Sequence, residues 1–274
     1  MDLNTIVEVA SAHDRADLGA LGPGDAVIAG GTWLLSERQD GLSRLVDIMT
    51  LGWEPVAITD AGLELAATYT LENVSALTSQ LRPDWTAAPL FHQCCTALLA
   101  SFKIWKTATI GGNICLSFPA GAMISLVTAL DGTVLTWRRD GTERTEAITD
   151  FVTGVARNTL GDGDVLRSIF FSAAALRART AYRKIALSPL GRSGAVVIGR
   201  LDKPPDGGEF VLAVTGSTTR PLTLRFPGVP DTATLDAALA TIPAGMWHQD
   251  AHGEPDWRRA VSAVLAHEII EELG

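Results

Sequence analysis

The residues best suited to chemistry in this chain form one short stretch, Ala108-Thr109-Ile110-Gly111-Gly112-Asn113-Ile114. Its two adjacent glycines carry no Cβ, so their backbone N–H groups can turn toward one point without obstruction. Thr109 and Asn113 flank the pair and add short side-chain donors. A concave run of amides holds a phosphate or diphosphate without a formal positive charge. The stretch therefore predicts a phosphate site.

A second stretch of similar design lies upstream, at Ala29-Gly30-Gly31-Thr32, directly after the apolar Ala26-Val27-Ile28. Each glycine pair is accompanied by polar donors and followed by apolar residues. Two such loops could hold the two halves of one diphosphate. Ordinary strand-to-helix turns are the alternative for either pair, and the presence of a second copy favours a ligand.

Composition excludes several classes of protein. The chain has 274 residues, a formal net charge of −9 and 47% hydrophobic residues. Nucleic-acid binding needs clustered Lys and Arg, which this balance does not favour. Any diphosphate must then be held by dipoles and hydrogen bonds. No run approaches about 20 uninterrupted apolar residues, so no membrane span is expected. The first residues lack a basic region followed by an apolar core, which predicts a cytoplasmic protein.

The cysteines and histidines do not predict a metal site. Three cysteines are too few for the four thiolates of an ordinary iron–sulfur cluster. We interpret them as buried thiols in a reducing compartment. His248 and His252 are four residues apart, but Gly253 and Pro255 argue against a helix there, so no zinc site is expected.

The elements around the first loop read as a small α/β unit. Residues 4–20 have the spacing of an amphipathic helix that ends at Gly22-Pro23-Gly24. Residues 26–28 form a short strand, Trp33 begins a helix that ends at Gly41, and residues 44–48 form the next strand. This places the first glycine pair at a helix N-terminus.

The rest of the chain alternates helical and strand patterns. Strands are expected at 62–70, 134–137, 144–148 and 165–171, and helices at 71–81, 87–102 and 122–130. The stretch 172–180 changes to Ala and Arg and reads as a linker. Beyond it, strands are expected at 195–201, 210–215 and 222–226, and helices at 234–239 and 257–273.

With both glycine pairs placed, the chain resembles the FAD-binding (medium) subunit of the xanthine dehydrogenase and carbon monoxide dehydrogenase family of molybdenum hydroxylases. The resemblance rests on V-I-A-G-G-T-W-L-L from Val27, R-L-V-D-I from Arg44 and A-T-I-G-G-N-I from Ala108. D-V-L-R-S-I from Asp164 and A-Y-R-K-I-A from Ala181 follow in the family's order. The resemblance implies an α+β fold with two domains. The first, at 1–175, would be a FAD-binding domain of the PCMH (vanillyl-alcohol-oxidase-like) type with two lobes, about 1–55 and 56–175. The second would be a smaller α+β domain at 176–274.

The resemblance also implies a subunit of a complex. Its partners would be a large molybdenum-cofactor subunit and a small subunit with [2Fe–2S] clusters, arranged as a dimer of heterotrimers. FAD in this chain would pass electrons from the clusters to an acceptor such as NAD, oxygen or a quinone. No catalytic residue is expected. The cofactor-binding residues would be Ala29, Gly30, Gly31, Thr32, Trp33, Leu34, Thr109, Gly111, Gly112, Asn113, Ile114, Leu166 and Lys184.

Some of these residues have alternative roles. Trp33 could be a lid on the cofactor, although we favour core packing. Leu166 could be simple core, and Lys184 could be a solvated surface lysine that does not approach the flavin.

The sequence departs from the family pattern in the stretch after Gly112-Asn113. Ala122 stands where the family has an Asp, and Phe118 where it has a small residue. This keeps open a non-catalytic scaffold in which FAD is lost or structural. A free-standing FAD oxidase is the third possibility, but the first loop offers neither a catalytic base nor a His or Cys to attach flavin covalently.

Overall fold

The amino-terminal segment forms a small parallel sheet in the computed structural model, which describes residues 3–274. Its strands lie in the order β1-β3-β2, and a four-residue helix follows the first strand. These elements are β1 (Glu8–Ser11), α1 (Arg15–Leu18), β2 (Asp25–Ile28) and β3 (Arg44–Asp47). The predicted strands at 26–28 and 44–48 are confirmed.

The predicted helix over 4–20 is wrong. Residues 8–11 pair with β3 in parallel register, from Glu8 opposite Arg44 to Ser11 opposite Asp47. Val7 and Val9, two apolar residues of this stretch, are exposed. β-branched residues favour strands. Helix begins only at Arg15, after the N-cap Asp14, whose carboxylate accepts from the amides of Ala16 and Asp17.

The predicted helix from Trp33 to Gly41 is also wrong. The segment after the first glycine pair forms consecutive turns, in which the amide of Leu35 donates to the carbonyl of Gly31 at 2.9 Å. Residues 35–38 are all exposed, so a helix here would have no apolar face to bury. The first glycine pair therefore opens a loop and does not precede a helix.

A five-stranded sheet with helices packed against it forms the centre of the molecule. The strand order is β4-β5-β10-β6-β7, and every pairing is antiparallel. Its strands and a short hairpin are β4 (Val56–Ile58), β5 (Gly62–Ala66), β6 (Thr133–Trp137), β7 (Glu143–Ala147), β8 (Val152–Gly154), β9 (Arg157–Asn158) and β10 (Val165–Ser172). Its helices are α2 (Leu71–Ala76), α3 (Pro89–Ala97), α4 (Phe102–Thr107), α5 (Ile110–Cys115), α6 (Ala122–Ala129), α7 (Ile148–Phe151) and α8 (Ala173–Leu176).

Two boundaries differ from the prediction. The strand predicted to reach residue 70 ends at Ala66. The helix predicted over 87–102 ends at Ala97, and a non-helical segment from Leu98 to Ser101 separates it from α4. The helices predicted at 71–81 and 122–130 are confirmed.

A four-stranded antiparallel sheet follows, with two helices after it. The elements are β11 (Arg179–Ile185), β12 (Ala195–Leu201), β13 (Phe210–Thr215), β14 (Leu222–Phe226), α9 (Thr232–Ala240) and α10 (Pro255–Leu273). The predicted linker at 172–180 is wrong, because it contains α8 and the start of β11. The sheet buries both faces: Val196 and Ile198 join the central core, whereas Val197 packs with Ile269 of α10.

No helix within residues 3–274 combines the length and the apolar character that crossing a membrane requires.

Candidate functional site

The first loop presents a row of unused backbone donors. Within residues 3–274, the amides of residues 30–34 donate to no protein acceptor, and the hydroxyl of Thr32 has no partner. Gly31 has φ of +64°, a left-handed conformation that glycine adopts at little cost. The reversal of the chain at Gly31 lets successive amides point to one side, as in an anion-binding nest.

Gly30 is required by a close approach to the second loop. A Cβ at this position would lie 1.7 Å from the carbonyl oxygen of Thr107, at the end of α4. At Gly111 a Cβ would lie 2.5 Å from the Cβ of Ala67. These two glycines hold the loops against their neighbours, so their presence is explained without a ligand.

The second glycine pair lies within the short helix α5, with Thr109 as its N-cap. The amide of Ile110 donates to the carbonyl of Tyr69 at 2.9 Å, and that of Gly111 to the carbonyl of Ala67 at 2.9 Å. The amide of Gly112 donates to Oγ1 of Thr109 at 3.0 Å. The predicted amide cradle at this pair is therefore wrong. The second loop can offer its side chains to a ligand.

Both loops line one cleft of about 470 Å³, which we call the loop cleft. Its wall contains nine of the predicted site residues: Ala29, Gly30, Gly31, Thr32, Trp33, Leu34, Thr109, Gly112 and Asn113. Every side chain that lines the cleft is uncharged, as expected for a diphosphate held by dipoles and hydrogen bonds.

Four predicted site residues do not line the loop cleft. Ile114 and Leu166 are buried in the central core, and Gly111 packs against Ala67. Lys184 lies on β11 opposite Val196. Because alternate residues of a strand share a face, Lys184 lies on the same face as Tyr182, which packs against the central core.

The sequence does not predict the apolar part of the wall, which is formed by Leu98, Leu99 and Ile104. The first two lie in the segment between α3 and α4, where the sequence predicts continuous helix. Leu99 is 57% exposed. The sequence signal that could have placed a break there is Ser101, a residue type that favours the N-cap position it occupies before α4.

Asn113 connects the second loop to α6. Its Oδ1 accepts from the amide of Met123 at 2.9 Å, which caps the start of that helix. This contact fixes the orientation of the side-chain amide. Its Nδ2 donates to no atom of residues 3–274, so it is free for a ligand. Ala122, where the family has an acidic residue, is buried.

Trp33 lies at the edge of the cleft, so the interpretation as core packing is wrong. It is 36% exposed and packs edge-on against Phe118, with ring centroids 4.9 Å apart. Trp33 of the first loop thus contacts Phe118, one of the two positions that depart from the family pattern. Part of the Trp33 ring remains free to contact a ligand.

The cleft has no group suited to general acid–base or nucleophilic chemistry. Cys115 is the one ionisable residue of its wall, and burial raises the pKa of this thiol to about 12. Residues 3–274 also bring together no set of three His, Cys, Asp or Glu side chains that could hold a metal ion.

Comparison with known families agrees with the geometry of the site. A family described as the FAD binding domain in molybdopterin dehydrogenase matches residues 3–172, well over half of the chain. The chain belongs to this family. The FAD-binding domain of molybdopterin dehydrogenases therefore includes both loops and the whole wall of the loop cleft.

A curated relative of this FAD-binding domain is the nicotinate dehydrogenase FAD-subunit of Eubacterium barkeri, 29% identical over 171 residues, which are 59% of this chain. The match spans 55% of the length of that relative.

Solved structures share the whole fold. A reconstituted CO dehydrogenase from Oligotropha carboxidovorans superposes with a TM-score of 0.83 at 21% identity, over 100% of this chain and 99% of the other. Quinoline 2-oxidoreductase from Pseudomonas putida 86 gives a TM-score of 0.81 at 19% identity, over 100% and 98%. The carboxy-terminal sheet beyond the family match is thus part of the shared fold.

Proposed function

We propose that this chain is the FAD-carrying, electron-transfer subunit of a heteromeric molybdenum hydroxylase. The partners would be a large subunit with the molybdenum cofactor and a small subunit with [2Fe–2S] clusters, assembled as a dimer of heterotrimers. Electrons from those clusters would leave through FAD to an external acceptor such as NAD, oxygen or a quinone. The observation that carries the proposal is the row of unpaired amides at residues 30–34 in a cleft without charged side chains.

These residues fit the diphosphate of FAD. Phosphate oxygens accept hydrogen bonds, and the amides of the first loop, the Thr32 hydroxyl and Nδ2 of Asn113 are donors without protein partners in the described chain. The hydroxyl of Thr109, which accepts from Gly112, keeps its own hydrogen to donate. The apolar wall at Leu98 and Ile104 would exclude water from the attached groups.

FAD would supply the redox chemistry, because a flavin accepts electrons singly and gives them up as a pair. The chain's own contribution is to bind and orient the cofactor. We also propose Leu166 and Lys184 as residues near the isoalloxazine, on the resemblance alone. A cation beside the ring would stabilise negative charge on its reduced form by Coulomb attraction.

The first test is the visible absorption spectrum of the purified chain, before and after heat release of any chromophore. Release of FAD in a one-to-one ratio to protein supports the proposal. A protein that stays colourless after incubation with FAD and desalting would overturn it.

A scaffold subunit without FAD is the second candidate. Two observations favour it: Ala122 offers no carboxylate to a cofactor, and Gly30 and Gly111 are explained by packing. The amides of the first loop favour the FAD carrier, because packing gives no reason to leave five donors of a cleft wall without an acceptor in the described chain. The same absorption experiment separates the two candidates.

A further inference from the structure

The amino-terminal sheet, formed by β1, β2 and β3, meets the rest of the molecule at two separate places. The first loop leaves the carboxyl end of β2 and packs its Gly30 against the carbonyl of Thr107, at the end of α4. The helix α1 leaves the carboxyl end of β1 and reaches the turn between β6 and β7. Because β1 and β2 are the edge strands of this parallel sheet, the two contacts leave it on either side of β3.

Arg15 makes the second of these contacts. Its guanidinium donates to the carbonyls of Gly141 at 2.9 Å and Thr142 at 2.8 Å, and it forms an ion pair of 3.0 Å with Glu143. Its Cζ also lies 4.8 Å from the centre of the Trp137 ring. One side chain thus holds the turn between β6 and β7 through two backbone carbonyls, one carboxylate and one indole.

A capping box fixes the backbone from which Arg15 extends. The carboxylate of Asp14 accepts from the amides of Ala16 and Asp17. The carboxylate of Asp17 accepts in return from the amides of His13 at 2.7 Å and Asp14 at 3.3 Å. Because α1 has only four residues, these side-chain bonds hold its first turn in place.

A second arginine holds the indole that Arg15 contacts. Arg167 lies at a bulge of β10, where the register with β6 shifts between residues 166 and 168. Its Cζ lies 4.5 Å from the ring centre of Trp53 and 5.6 Å from that of Trp137, and the two indoles pack edge to face at 5.4 Å. Nη1 of Arg167 is buried and has no hydrogen-bond partner among residues 3–274. Its guanidinium is therefore held mainly by the two indoles, and it holds them in turn.

An apolar cluster lies between the two contacts. It contains Val46 and Ile48 from the amino-terminal segment and Val165 from β10. Apolar packing is not directional, so this cluster opposes separation of the two parts but does not by itself set their angle. The directional contacts at Gly30 and Arg15, on either side of β3, are suited to set it.

We propose that Arg15, Trp137 and Arg167 form a clamp that sets the angle of the amino-terminal sheet and thereby positions the first loop for FAD. They are positioning residues, since none of them lines the loop cleft. The inference rests on the proposed function for the identity of the ligand. The diphosphate would accept from the amides of residues 30–34 on one side and from Nδ2 of Asn113 on the other, so its affinity depends on how the two loops are set relative to each other.

The test compares Arg15→Ala with Arg82→Ala in the full chain. Arg82 stacks on Trp85, with Cζ 5.6 Å from the ring centre, and pairs with Asp60 and Asp84, so these contacts lie outside the amino-terminal sheet. Its side chain is 43% exposed and that of Arg15 is 35% exposed. The control thus removes an arginine that makes ion pairs and stacks on an indole, without touching the clamp.

The first readout is the dissociation constant of FAD, measured by flavin fluorescence. Arg15→Ala should weaken binding about three- to tenfold, the contribution of one neutral hydrogen bond, whereas Arg82→Ala should change it by less than about twofold. Thermal melts establish that each variant is folded. Arg15→Lys keeps a cation beside the indole but lacks the planar fork for two carbonyls. It should weaken binding by a smaller factor, and it replaces Arg15→Ala if that variant does not fold.

The second readout needs no cofactor. The chain is labelled with fluorotryptophan, and the fluorine resonance of Trp33 is assigned with Trp33→Phe. Trp33 packs on Phe118 with ring centroids 4.9 Å apart, so a rotation of the amino-terminal sheet changes the surroundings of its ring. The resonance should move in Arg15→Ala and stay in place in Arg82→Ala.

Three outcomes would overturn the inference: an FAD affinity of Arg15→Ala within about twofold of the wild type, a Trp33 resonance that does not move, or an equal loss of affinity in Arg82→Ala. The last would show that general destabilisation accounts for the effect. Absence of FAD binding in the wild type would instead refute the proposed function, and the Trp33 resonance would still decide whether the clamp sets the angle of the sheet.

Discussion

Gly30→Ala is expected to weaken FAD binding and to destabilise the fold, although it adds only one methyl group. The new Cβ would lie 1.7 Å from the carbonyl oxygen of Thr107, 2.5 Å from its carbonyl carbon and 3.1 Å from Cα of Ala108. All three atoms are backbone and cannot rotate aside as the end of a side chain can. The first loop must therefore move away from α4 by more than about 1 Å.

The expected magnitudes follow from this displacement. Overpacking of a close contact costs about 1–3 kcal/mol, which for a chain of this size lowers Tm by roughly 3–10 °C. The same movement withdraws amides of the loop from the phosphates. A hydrogen bond to a charged group contributes about 1.5–3 kcal/mol, so the loss of one weakens FAD binding about 10- to 100-fold.

The assay is a titration of the apoprotein with FAD by fluorescence quenching, with a thermal melt of each variant. Gly41→Ala is the matched control, because a Cβ there meets no atom within 4 Å and its backbone is not left-handed. An affinity of Gly30→Ala within twofold of the wild type, together with an unchanged Tm, would refute this account of the loop.

Four further outcomes are expected. Gly112→Val should weaken FAD binding in the same titration, because its Cβ would stand 3.1 Å from Oγ1 of Thr109 and its methyl groups would enter the cleft. In Asn113→Ala the hydrogen bond from the amide of Met123 is lost, so the free energy of unfolding measured in urea should fall by about 1 kcal/mol. Asn113→Asp should keep the Tm of the wild type but bind FAD less tightly, because a carboxylate repels phosphate. Burial lowers the pKa of His248 below its ordinary value of 6.5, so the unfolded chain takes up a proton there that the folded chain does not. The free energy of unfolding should therefore decrease as the pH falls from about 7.5 to 5.5. His248→Gln should make this dependence on pH less steep. FAD affinity should not fall as salt is raised, because no basic side chain lines the loop cleft and the chain carries −9; a steep fall would contradict an amide-based site.

The sequence predicted those elements whose signal is local. Residues 26–28 and 44–48 are short apolar runs, and the structure has strands at both. Residues 4–20 misled the prediction, because the pairing of β1 with β3 joins residues 36 positions apart, from Glu8 to Arg44. The helical spacing of the valines carried no information about that pairing.

The same distinction applies to the site. The first loop keeps its amides without an acceptor among residues 3–274, and their role toward a ligand stays a prediction. The amides of α5 are occupied by the carbonyls of Ala67 and Tyr69, which come from a segment about forty residues earlier. A pattern of glycines does not reveal which acceptors the fold will bring to them.

The glycines of the two pairs therefore do not all have the same function, and this bears on the choice between FAD carrier and scaffold. Gly30 and Gly111 let two pieces of backbone approach closely, and either kind of protein would need them to keep this fold. Gly31 differs, because it adopts a left-handed conformation in a loop that lines the cleft, and the amides of residues 30–34 donate to no acceptor within residues 3–274. A scaffold gains no stability from donors left without a protein partner, whereas a diphosphate needs them. These unused donors, more than the glycines themselves, favour a chain that carries FAD.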